Sequence, residues 1–146
     1  MATFLLLRTV PLTPDACFAR LTDWSRHGER VPFTRVSAAR GSGRATGDVI
    51  LARTTLGPLG FDDPMEIVTF EPPDAGRAGL CRLEKRGRVV RGWAEFRVRP
   101  ASGNVGGAQA IWVEEIRVRG LPAVFDPLVA GVARLVFGRV LQALLS

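Results

Sequence analysis

The 146-residue sequence has no tyrosine, one histidine (His27), one lysine (Lys85) and two cysteines (Cys17 and Cys81). A lone histidine builds neither a zinc site nor a nucleophile–base pair. His27, beside Trp24 and Arg26, therefore reads as a packed residue or a group at a cavity mouth. The cysteines lie far apart in apolar surroundings and lack metal-ligand spacing, which predicts two buried thiols. Glycine-rich nucleotide fingerprints, phosphate loops and serine-nucleophile patterns are also missing, so no cofactor and no metal is expected. The opening MATFLLLRTVPL has no basic leader and only a short apolar run, unlike a secretory signal. The C-terminal apolar stretch carries Arg134 and Arg139, each costly inside a bilayer. These absences predict a soluble, cytoplasmic protein.

What is present is ordinary globular material. Hydrophobic residues make up 47 % and charged residues 23 %, which suits one domain over 1–146 with a core of its own. The net charge of +6 rests on arginine. With no recognisable nucleic-acid module, it argues against nucleic acid as a partner and leaves an acidic carrier protein or an anionic membrane surface. Sixteen glycines and ten prolines punctuate the chain into short strands.

Thr3 to Val10 reads as a first strand. Thr13-Pro14-Asp15 then gives an N-cap, a proline at the first helical position and an acid in the first turn. A short helix runs to about Asp23, and a second helix or turn spans Trp24 to Val31. Strands are expected at Thr34–Arg40, Asp48–Leu56, Met65–Glu71, Leu80–Lys85, Val89–Arg99 and Ala108–Arg119. Gly57-Pro58 and Arg86-Gly87-Arg88 mark turns, and a glycine-rich loop from Ala101 to Gly107 joins the last two strands. Asp62-Asp63 reads as turn chemistry ahead of Pro64; as a cation site, adjacent carboxylates point apart and would need further oxygen ligands. Asp126-Pro127 repeats the N-cap and first-position chemistry, and from there to Leu145 the pattern is a helix about 28 Å long. Val129, Val132, Ala133, Val136, Phe137, Val140, Ala143 and Leu144 form its apolar face. Hairpin-linked strands and one long helix make the class α+β with an antiparallel sheet.

Strand parity carries the functional reading. On the sixth predicted segment of sheet, Val90, Gly92, Ala94, Phe96 and Val98 share an apolar face; Arg91, Arg97 and Arg99 lie opposite. On the last strand Ala108, Ala110, Trp112, Glu114, Ile116 and Val118 face inward, with Arg117 and Arg119 outward. A hairpin centred near Gly103 sets Phe96 against Trp112, Ala94 roughly against Glu114 and Gly92 near Ile116. Small side chains beside an inward acid leave space that a packed core would fill, and apolar walls with one polar group resemble a ligand pocket. Three roles stand open for Glu114: a structurally paired acid, a ligand contact or an acid–base group. Burial should raise its pKa unless an arginine pairs with it, and Arg53 is the expected partner. The outward arginines form a stripe, either solvated or a docking face.

Taken in order, Asp23-Trp24 with His27, Val31-Pro32, Thr34-Arg35-Val36, FDDPMEIVTFEPP (Phe61 to Pro73), RGRVVRGWAEF (Arg86 to Phe96) and WVEEI (Trp112 to Ile116) resemble the SRPBCC, or START-like, superfamily. The resemblance covers nearly the whole chain. It implies a helix-grip fold, a curved antiparallel sheet wrapped around the C-terminal helix, with two short helices after the first strand. It also implies a cavity for a lipid-, sterol- or polyketide-like molecule, lined by Phe96, Trp112, Glu114, Ile116, Val132, Val136 and Val140, with Phe33, Phe61 and Met65 at its entrance. Gly92, Ala94 and Arg53 complete the candidate set. Some such proteins are polyketide cyclases or dehydrases; with no tyrosine, that chemistry would rest on carboxylate and arginine. A regulatory or stress-related module with a filled cavity is the third expectation.

Overall fold

In the computed structural model, which describes residues 1–102 and 107–146, the chain runs β1 (Ala2–Val10), α1 (Pro14–Leu21), α2 (Trp24–His27), β2 (Thr34–Arg40), β3 (Val49–Leu56), β4 (Leu59–Glu71), β5 (Gly79–Arg86), β6 (Val90–Pro100), β7 (Ala108–Val118), a short 3-10 turn (Ala123–Phe125) and α3 (Asp126–Leu145). The centre of the β6–β7 loop, with Gly103, lies outside the described residues. The seven strands form one antiparallel sheet in the order β1-β7-β6-β5-β4-β3-β2. Its inner face and α3 enclose the core, as the helix-grip expectation requires.

Local chemistry explains the ends. Thr13 accepts a hydrogen bond from the Ala16 amide at 3.1 Å and Pro14 opens α1, an arrangement that needs no donor from proline. At α3 the expected cap is displaced by one residue. Phe125 is the N-cap, without a side-chain hydrogen bond, and the Asp126 carboxylate instead takes the Met1 α-amino group at 2.6 Å.

Two other expectations are corrected. Asp62-Asp63-Pro64 is not a turn but the middle of β4, which begins at Leu59 right after the Gly57-Pro58 turn. Strand alternation still sends the two acids apart: Asp62 to the outside and Asp63 inward. The buried face of α3 is also rotated. Ala133, Val140, Leu141, Leu144 and Leu145 are buried, Val136 and Phe137 are half-buried, and Val132 is 54 % exposed. The helix packs along β1 and against α1, so its first turns stand clear of the sheet.

Candidate functional site

The β6–β7 register places Phe96 opposite Trp112, Ala94 opposite Glu114 and Gly92 opposite Ile116. On the other side of β7, Phe4 of β1 faces Glu114. Inward alternation therefore carries Trp112 and Glu114 into the interior, where they are 2 % and 3 % exposed. The side chains around them do not meet. They leave a cavity of about 240 Å³ lined by Trp24, His27, Val31, Val36, Ala52, Met65, Leu83, Val90, Ala94, Phe96, Trp112, Ile116 and Phe137, by the hydroxyl residues Thr34 and Thr54 and, as its charged groups, by Asp63, Lys85 and Glu114. Phe61 also lines it and is 37 % exposed, which puts it where the cavity meets solvent.

One wall is aromatic. Phe96 and Trp112 approach to 4.8 Å between ring centroids, Trp112 and Phe137 to 5.2 Å, and Phe4 stacks on Phe137 at 5.6 Å. His27 completes it, edge-on to Phe96 at 5.7 Å, and its Nε2–H donates to the Leu21 carbonyl at 2.6 Å. Burial pushes the imidazole down to about 4, the Leu21 contact offsetting this only in part. His27 is thus a neutral packing residue at neutral pH.

The other wall is ionic. The Lys85 ammonium donates to Asp63 Oδ2 at 2.8 Å and lies 4.0 Å from Glu114 Oε1, with Met65 Sδ at 3.5 Å. Lys85 reaches from β5 across β6, and the two β6 residues facing inward between them are Gly92 and Ala94. Larger residues there would stand between the charges. Burial alone would lower the Lys85 pKa, but Glu114 and Asp63 outweigh it and hold the amine above its ordinary value. Glu114 gains less: burial pushes it up to about 7 even though Lys85 opposes the shift. The indole N–H of Trp112 lies near enough to favour the carboxylate but is not aligned for a hydrogen bond. Asp63 Oδ1, Trp112 Nε1 and Glu114 Oε2 are buried without a hydrogen-bond partner among the described residues, a costly condition in an ordinary core.

The candidate residues separate accordingly. Glu114, Trp112, Phe96, Ile116, Ala94, Phe61 and Met65 surround the cavity. Arg53 does not pair with Glu114; it forms a two-pronged contact with Asp62 on the outer surface, at 2.8 and 3.2 Å. Phe33 is 66 % exposed and not in the cavity lining, although Val31 and Thr34 beside it are, and it has a left-handed backbone conformation. Gly92, Val132, Val136 and Val140 are absent from the lining, where α3 is represented by Phe137. Asp63 and Lys85 were not expected there. The available signal was parity, since Lys85 alternates with the inward Cys81 and Leu83.

The outer arginines are not a uniform stripe. Arg97 pairs with Glu95 and Arg117 with Glu115, while Arg86, Arg91 and Arg117 stand directly opposite one another across β5, β6 and β7.

No protein-family model and no curated protein matches the sequence. Solved structures do. A START superfamily protein from Mycobacterium smegmatis superposes with a TM-score of 0.69 at 11 % identity, over 99 % of this chain and 97 % of that one. The Zhui aromatase/cyclase from Streptomyces sp. R1128 gives 0.62 at 15 % identity, over 98 % and 90 %. Norcoclaurine synthase from Thalictrum flavum, in complex with dopamine and hydroxybenzaldehyde, gives 0.61 at 12 % identity, over 97 % and 84 %. The chain thus has the helix-grip fold of START-like, SRPBCC proteins.

Proposed function

We propose that this is a soluble, cytoplasmic binding protein that encloses one small, mostly apolar molecule between its sheet and α3. The observation that carries the reading is the cavity itself: about 240 Å³ of unfilled space beside Ala94 and Glu114. An apolar void of about 150 Å³ already accommodates benzene, so this one suits a body of about two rings, with room for a third toward the solvent opening beside Phe61, or a short branched chain. The buried, unpaired thiols of Cys17 and Cys81 agree with a reducing compartment. The void disfavours the reading as an interaction module with a filled interior.

Native mass spectrometry of the purified protein, with titration by the neutral fluorophore N-phenyl-1-naphthylamine, tests this. Saturable binding at one site per chain, or a retained small molecule, is expected; absence of both overturns the reading.

A second reading, an enzyme of the cyclase or dehydrase kind, is favoured by one observation. Glu114 near neutrality beside a permanently charged Lys85 suits proton transfer at a bound carbonyl compound. The arginine once expected to assist is outside, and Lys85 takes its place. Turnover of an aromatic-polyketide precursor that is lost in Glu114→Ala would support it.

A further inference from the structure

The binding reading leaves the polar chemistry of the ligand open, and the unpartnered atoms in the cavity narrow it. Resting on that reading, we infer that the cavity selects a neutral ligand bearing a hydroxyl or phenol and rejects carboxylates of the same shape, with Glu114 Oε2 and Trp112 Nε1 holding the hydroxyl between them.

The argument is one of hydrogen-bond and charge accounting. Among the described residues, Glu114 Oε2 and Asp63 Oδ1 are acceptors without donors, and Trp112 Nε1–H is a donor without an acceptor. Trp112 and Glu114 are two apart on β7 and so project from the same face toward the same space. A hydroxyl both donates and accepts, so one group satisfies an acidic oxygen and the indole together.

A hydroxyl leaves only Asp63 Oδ1 unmet, and the alternatives fit worse. A ligand carboxylate could accept from Trp112, but it would enter beside two carboxylates. The nearby cation, Lys85, already donates to Asp63 at 2.8 Å and lies 4.0 Å from Glu114. Among the described residues the cavity's formal charge is then −1 with both acids ionised, which repels an anion in a low-dielectric setting. An ammonium group would suit the acids, yet it would leave the indole N–H unpaired and stand close to the Lys85 ammonium. The site is therefore the reverse of a fatty-acid pocket, in which a cation faces the ligand.

Three probes with one apolar body separate the cases: naphthalene, 2-naphthol and 2-naphthoate, competed against N-phenyl-1-naphthylamine at pH 8 on the intact chain. The expected order is 2-naphthol tightest by about tenfold over naphthalene, as for a hydrogen bond to a charged partner, with 2-naphthoate weakest. In Glu114→Gln the gap between 2-naphthol and 2-naphthoate should shrink. Equal affinities for all three, or tighter 2-naphthoate, overturn the inference while leaving the binding function standing. No saturable binding of the fluorophore or of any probe overturns both.

Discussion

The Lys85 ammonium faces Glu114 Oε1 across 4.0 Å, near enough to attract and too far to donate a hydrogen bond, because its shorter contact belongs to Asp63 at 2.8 Å. Three charges share one desolvated wall, and their balance makes the interior responsive to single substitutions.

Glu114 and His27 tilt stability in opposite directions over one pH range. Burial raises Glu114 from 4.5 to about 7. In that window the folded chain keeps a proton the unfolded chain has released, so stability falls as pH rises. Burial lowers His27 from 6.5 to about 4. There the unfolded chain holds the extra proton, so stability rises with pH. The two slopes oppose each other from about pH 4.5 to 6.5, each group accounting for up to about 3 kcal/mol. In thermal melts across that range, His27→Gln should reveal a decline with pH and Glu114→Gln a rise. Parallel profiles for the two variants would contradict the assignment.

Lys85→Met removes the cation and strands two acids. Urea unfolding should show a loss of about 3 kcal/mol, and carboxyl NMR should show Glu114 titrating still higher, since Lys85 is what holds it down. Combining Lys85→Met with Asp63→Asn and Glu114→Gln should recover part of that loss. A triple variant less stable than the single one would disprove the shared network.

Gly92 adopts φ +125°, and a Cβ there would lie 1.9 Å from the Glu115 carbonyl oxygen. Gly92→Ala should therefore cost about 2 kcal/mol or more, read from the denaturation midpoint. A shift within error would mean that β7 moves aside freely.

Ala94 lines the cavity opposite Glu114. Ala94→Leu fills cavity space but also stands between Lys85 and Glu114, so the two effects offset and melting should change little, while N-phenyl-1-naphthylamine affinity drops at least about tenfold. Retained affinity would place the probe elsewhere.

Arg91 sits opposite Arg86 and Arg117, and like charges in register are unfavourable. Arg91→Glu should stabilise by roughly 0.5 kcal/mol at low salt, and the gain should fade as ionic strength rises. A salt-independent effect would point to packing instead.

The β6–β7 hairpin was legible in the sequence because its two strands are adjacent in the chain and each alternates cleanly, so parity together with a hairpin centre near Gly103 paired Ala94 with Glu114. Lys85 and Asp63 were hidden for the opposite reason. Their meeting depends on the registers of β4, β5, β6 and β7 together, and Pro64 with two adjacent acids imitates a turn. Arg53 was misassigned because parity gives a face but not a partner; its cross-strand neighbour on β4 is Asp62. On α3, the apolar residues circle most of the helix, so periodicity could not tell that Val132 faces out and Leu141 in. Tertiary packing along β1 made that choice.

Arginine supplies every cation of the side chains except Lys85, which is almost sealed from solvent. Amine-selective acylation at moderate pH should consequently modify the ε-amine only when its contacts with Asp63 and Glu114 open. The slow labelling rate at that one position becomes a clock for how often the buried charge cluster comes apart, readable by mass without any engineered tag.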